Sequence, residues 1–148
     1  MPFVHEMRRL RAEHAELARL SRQLADLLEA SAAPPSTEIE PIRAQLRDTL
    51  TRHLKCEDWA LYPRLRAAGE TDAARLARDF ADAMGHVADD YDAYDRRWPP
   101  ARVAAEWPAF RAESRAMLAA LDERMERENR ELYPLVDRLA EQGLQPSR

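Results

Sequence analysis

His53-Leu54-Lys55-Cys56-Glu57-Asp58-Trp59-Ala60-Leu61-Tyr62-Pro63 is the stretch on which the fold and the chemistry of this chain both turn. Residues four apart on a helix lie about 40° apart around its axis, so His53 and Glu57 share one face. An imidazole and a carboxylate side by side can hold a transition metal such as iron, manganese or zinc. His and Glu at this spacing also occur by chance, and a second copy gives the pair its weight. Arg124-Met125-Glu126-Arg127-Glu128-Asn129-Arg130-Glu131-Leu132-Tyr133-Pro134 follows at an offset of 71 residues. Glu57 maps to Glu128, Leu61 to Leu132, and Tyr62-Pro63 to Tyr133-Pro134. Upstream, Leu46, Leu50 and Leu54 map to Met117, Leu121 and Met125. The repeat fails at one chemically important place, where Arg124 stands opposite His53.

Outward from this stretch, the sequence predicts helices only. With 148 residues the chain has the length of a single domain able to bury a real core. It has three Gly and an interleaved 23 basic and 27 acidic residues, for a net charge of -4. That pattern describes a solvated helical surface and argues against a nucleic-acid binder or a polybasic membrane anchor. The lone Cys56 excludes an intramolecular disulfide and fits a reducing compartment. No uncharged apolar run approaches a membrane span, and Met1 to Leu10 lacks the apolar core of a signal peptide, so the cytoplasm is the expected location.

A first helix is expected from about Phe3 to Ala30. Phe3, Met7, Leu10, His14, Leu17, Leu24 and Leu28 recur at steps of three and four, the inner seam of a helix bundle. His14 occupies a core position there, either as a ligand or as a buried histidine satisfied by a neighbour. His5 falls half a turn away and reads as surface. Ser31 to Thr37 is a loop, with Thr37 and Glu40 in capping-box spacing and Pro41 expected in the first turn of the second helix. That helix carries Ile39, Ile42, Leu46, Thr49, His53, Glu57 and Ala60 on one stripe. Pro63 should kink it, and Gly69 should stop it.

The third helix is expected from about Asp72 to Arg97, with Leu76, Phe80, Met84, Val87, Tyr91 and Tyr94 inward. His86 lies on the flank of that stripe beside Asp79, Ala83 and Asp90, and a surface histidine is the competing reading. Trp98-Pro99-Pro100 breaks the chain before a possible short turn of helix over 101–106. A fourth helix, opened by Pro108, should run to about Glu141 and kink near Pro134. Its inner stripe is Phe110, Ser114, Met117, Leu121, Arg124, Glu128, Leu135 and Leu139. The expected architecture is an all-α, up-down-up-down four-helix bundle over 1–142 with a frayed tail over 143–148.

In such a bundle His14, His53, Glu57, His86 and Glu128 come from all four helices and converge. Buried imidazoles and carboxylates are costly unless paired or bound to a metal. Convergence of five favours metal binding.

The order His … His-x-x-x-Glu … His … Glu, with Leu-Tyr-Pro following each Glu, resembles the hemerythrin-like (HHE cation-binding) domain over most of the chain. The resemblance implies a non-haem di-iron site, with His14, His53 and His86 as terminal ligands and Glu57 and Glu128 bridging. It also implies partners such as dioxygen, peroxide or nitric oxide. Arg124 departs from the pattern, which has His there. Its guanidinium either lies against Glu57 or Glu128 and replaces one metal's charge, or swings outward and leaves Asp90, Tyr91 or water to complete the site. Tyr62 and Tyr133 are expected to pack, with a hydrogen bond to the site within their reach. An iron-responsive interaction module and a metal-free structural bundle are the alternative functions.

Overall fold

The computed structural model describes residues 2–67, 69 and 71–141; the expected tail over 143–148 lies outside them. Among the described residues the chain is helical throughout, without a strand. The first rod is α1 (Pro2–Leu27). The second runs through α2 (Ser36–Cys56), a π-helical turn π1 (Glu57–Leu61) and α3 (Tyr62–Arg66). The third consists of α4 (Asp72–Met84) and α5 (Val87–Arg97). After the short α6 (Pro100–Ala105), the fourth runs through α7 (Trp107–Arg127), π2 (Glu128–Leu132) and α8 (Tyr133–Glu141). The first rod packs on the second and fourth, and the third also packs on the second and fourth. Each rod thus touches its two sequence neighbours around a ring, the up-down-up-down arrangement that the stripes predict.

The apolar stripes explain why these helices stay together. Leu10, Leu17, Leu20, Leu24 and Leu28 of the first rod are buried against Leu46, Leu50, Leu61, Phe80, Phe110 and Leu121. At one end Phe110 gathers Trp98, Trp107 and Tyr94 around it. The last carbonyls after α1 would otherwise be unpaired. Arg111 Nε donates to Leu28 O at 2.7 Å and Trp107 Nε1 donates to Ala30 O at 2.8 Å. Arg43 is also buried, and its guanidinium donates to Glu40 and Asp95.

Local structure departs from expectation in three places. The second helix begins one residue before Thr37, and the backbone N–H groups of Glu38 and Ile39 bond to Pro35 O, so the Thr37 capping box does not form. The third helix is not continuous: Gly85 and His86 separate α4 from α5. Thr71, not singled out in the sequence, caps α4 by accepting from Ala74 N at 3.0 Å. Gly69 does stop the preceding helix, with φ of 81°, a conformation that only glycine adopts without strain.

The two prolines act through π-helical turns. Proline cannot donate, and its ring crowds the carbonyl four residues back, here Trp59 for Pro63 and Arg130 for Pro134. The chain inserts one extra residue, so Tyr62 N–H bonds to Glu57 O and Tyr133 N–H to Glu128 O, five residues back. Each π turn starts at the glutamate of the repeat. The added residue also shifts the phase of the helix that follows. Tyr62 and Tyr133 become fully inward, and beyond Glu128 the buried side chains are Leu132, Tyr133, Val136 and Leu139, with Leu135 only partly covered.

Candidate metal centre

His14, His53, Glu57 and Glu128 are each buried, and one potential ligand atom from each lies within 4.8 Å of the others. α1 supplies His14, the junction of α2 and π1 supplies His53 and Glu57, and π2 supplies Glu128. His14 Nε2 is 3.1 Å from Glu128 Oε1 and 3.9 Å from Glu57 Oε2. His53 Nε2 is 3.2 Å from Glu57 Oε1.

Both imidazoles are held from behind. His14 Nδ1 donates to Asn129 Oδ1 at 2.7 Å, and His53 Nδ1 donates to Glu13 Oε1 at 2.9 Å. Anchoring through Nδ1 turns each Nε2 towards the carboxylates, the posture in which imidazole binds a metal. His53 Nε2 is buried and meets Glu57 Oε1 as an ion pair at 3.2 Å, without the geometry of a well-directed hydrogen bond. Two buried imidazole nitrogens turned towards two buried carboxylates have the chemistry of a cation site. These four residues therefore fit a metal ion. Glu13 and Asn129 were not singled out in the sequence; each adjoins a ligand in the chain, but nothing local marks it as a partner.

The tyrosines cross over. Tyr62 Oη donates to Glu128 Oε2, and Tyr133 Oη donates to Glu57 Oε2 at 2.5 Å. Tyr133 Oη also lies 3.0 Å from His14 Nε2. Each repeat's tyrosine thus holds the other repeat's glutamate, and this joins the second and fourth rods. Burial, together with the adjacent carboxylates, pushes both phenols well above the ordinary tyrosine range, so they remain donors.

Arg124 faces inward with about 1% of its surface exposed. Its Nε donates to Glu128 Oε2 at 3.3 Å, and its Nη2 donates to Glu57 Oε1 at 3.3 Å and to Asp58 Oδ1 at 2.7 Å. Its Nη1 donates to Met84 O at 3.2 Å. Against His53 the correspondence is close: each is four residues before its glutamate and within ion-pair distance of it. Of the two postures left open by the sequence, the guanidinium takes the first. Asp58 was not anticipated as its partner.

His86 and Asp90 lie elsewhere. The side chain of His86 is 61% exposed, with Nδ1 2.6 Å from Asp90 Oδ2 and Nε2 3.1 Å from Ala83 O. The break at Gly85 puts His86 on the outer turn. At the repeat offset it is Gly85, not His86, that corresponds to His14. The inward space at this level is taken by Arg124 reaching Met84 O. The expectation that His86 joins the other four, or that Asp90 completes the site, does not match this geometry.

Burial works against every charge in the cluster, and pairing decides the outcome. Desolvation would lower His53, but Glu57, then Glu13, outweigh it and lift the imidazole to about 10. Desolvation would raise Glu57, yet His53 and Arg124 bring it below the ordinary carboxylate range. Glu128 is raised, because burial and the Glu57 charge exceed what His14 and Arg124 return. With His53 protonated at neutral pH, its imidazolium and Arg124 balance the two buried carboxylates, so a metal ion would take the place of the His53 proton.

A helical bundle in which imidazoles and carboxylates converge from three of its four rods could hold a metal ion. The model of the hemerythrin HHE cation-binding domain matches residues 5–136. The chain belongs to this family. No curated protein and no solved structure matches it.

Proposed function

We propose that this protein holds one non-haem metal ion, iron in preference to manganese or zinc, and uses it to handle dioxygen, peroxide or nitric oxide. His14, His53, Glu57 and Glu128 would be the ligands. The observation that carries the reading is Arg124, buried and 3.3 Å from an oxygen of each glutamate. It takes the place of a second cation between the two glutamates, which supports one metal over the pair that the family resemblance implies. When bound, the metal would supply redox and Lewis-acid chemistry to a small ligand.

The chain's own contributions follow from the geometry. Glu13 and Asn129 fix the tautomers of the two histidines. Tyr62 and Tyr133 restrain the carboxylates. Arg124 supplies a charge that no relevant pH removes. Leu17, Leu61 and Leu121, buried in the same core, belong to the apolar packing that keeps the bundle interior dry. Metal analysis of protein produced in iron-supplemented medium tests the reading: one equivalent per chain supports it, and two would return the di-iron site.

The metal-free bundle remains a second reading on one specific ground: Arg124 and a proton on His53 together balance Glu57 and Glu128. Protein that retains no iron, manganese or zinc at neutral pH would favour it.

A further inference from the structure

The residue that follows each glutamate of the repeat anchors a different group. At the offset of 71 residues Asp58 corresponds to Asn129, and Glu13 to Met84. In one half of the cluster Asn129 Oδ1 accepts from His14 Nδ1, and Glu13 Oε1 accepts from His53 Nδ1. In the other half the guanidinium of Arg124 alone reaches both corresponding places, Asp58 Oδ1 at 2.7 Å and Met84 O at 3.2 Å. Gly85, the counterpart of His14, carries no side chain, and a Cβ there would collide with Ala81 O. One arginine thus stands where the repeat would place two imidazoles.

The contacts of that guanidinium are unequal. Its Nη2 is shared between Asp58 at 2.7 Å and Glu57 at 3.3 Å, and its Nε lies 3.3 Å from Glu128. Strong charge-assisted bonds measure about 2.7–2.9 Å, so the short bond goes to Asp58 and the glutamates take the long ones. Asp58 also sits in different surroundings. Its side chain is 21% exposed and lines a cavity between the second and third rods, whereas Glu57 and Glu128 are fully buried. The guanidinium is therefore drawn towards the cavity, away from the two glutamates. With three carboxylates around one cation, Glu57 and Glu128 keep more negative charge than Arg124 alone would leave them.

We propose that Asp58 is a positioning residue that holds the Arg124 guanidinium back from Glu57 and Glu128, and so sets how strongly those glutamates attract a metal ion. The proposal rests on the metal reading of that cluster. Loss of the Asp58 charge lets the guanidinium close on both glutamates and compete with the incoming cation.

Two measurements on the full chain test it. In the first, Co(II), a redox-stable stand-in for ferrous iron, is titrated against a competing chelator into wild type, Asp58→Asn, Arg124→Leu and the double variant. Asp58→Asn should weaken binding about tenfold where Arg124 is present and by less than about twofold where it is absent, because members of one ion-pair network are not additive. Asp89→Asn removes another carboxylate from the same cavity wall but no partner of Arg124, and should change affinity by less than about twofold. In the second measurement, on metal-free protein, the Nε–H nuclear magnetic resonance signal of Arg124 is identified by its loss in Arg124→Leu. It should move downfield in Asp58→Asn as the bond to Glu128 shortens. Should Arg124→Leu not fold, Arg124→Gln serves both purposes. The proposal is overturned by no loss of affinity in Asp58→Asn, by an equal loss with and without Arg124, by an equal effect of Asp89→Asn, or by an unmoved Arg124 signal. If wild type takes up no Co(II), the metal reading fails, and the Arg124 signal alone decides whether Asp58 holds the guanidinium back.

Discussion

Replacing Arg124 with Leu removes the one permanent cation from a site that contains two fully buried carboxylates. Removing one partner of a buried ion pair costs about 3–5 kcal/mol, chiefly because the other charge stays uncompensated. Two features of this site place the expected loss at the low end. The contacts to Glu57 and Glu128 are both 3.3 Å, longer than the ~2.7–2.9 Å of a strong charge-assisted bond. Glu128 is already raised by burial and by Glu57, so the variant can relieve the repulsion by protonating it. We therefore expect chelator-treated Arg124→Leu to lose about 3 kcal/mol at neutral pH. For a domain of this size that lowers Tm by about 6–12 °C. Urea and thermal unfolding followed by far-ultraviolet circular dichroism would measure it. The Glu128 share of that loss should shrink as pH falls through its raised folded value, because a protonated carboxyl no longer needs the cation, whereas the Glu57 share persists. A packing defect would not show that pH dependence. Wild-type stability in the chelated variant at neutral pH would refute the reasoning, and so would a loss independent of pH.

Three further outcomes follow from the same geometry. His86→Ala should leave metal content unchanged and stability within about 0.5 kcal/mol, since the side chain is exposed and bonds to Asp90 and Ala83 O instead of the cluster; loss of bound metal would put His86 back among the ligands. Tyr133→Phe should cost about 1–3 kcal/mol by leaving Glu57 short of a donor. It should also weaken metal binding roughly 10- to 100-fold, as for other groups that orient ligands, and equilibrium titration against a competing chelator would read this.

The pH prediction concerns His53, whose folded value of about 10 lies above its ordinary 6.5. In metal-free protein its contribution to stability is full below pH 6.5 and is lost as pH rises through 10. Metal must displace that proton, so binding at neutral pH should release at least one proton. Apparent affinity should then climb roughly tenfold per pH unit above neutrality. Proton release measured in two buffers of different ionisation enthalpy checks this, and none released would contradict the ion-paired His53.

Much of this protein follows from short-range pattern. Helix period, the repeat at an offset of 71, and His53 four residues before Glu57 are all local relations, fixed once the backbone is helical. The buried stripes through Leu10, Leu17, Leu46, Phe80, Phe110 and Leu121 therefore lie where the sequence places them. Four of the five expected ligands meet for the same reason. Each π turn has a local cause in its proline, although only the phase of the following side chains reveals that the helix widens there. Other features depend on partners remote in the chain. His86 has a helical position near the inner stripe, but the break at Gly85 and the guanidinium arriving from the fourth rod leave it outside. Glu13, Asp58 and Asn129 are polar residues among many, and only the packed bundle brings them to His53, Arg124 and His14. The inward posture of Arg124 is decided there as well. A buried guanidinium is tolerable only where carboxylates from two rods meet around it, and that meeting exists only in the tertiary structure.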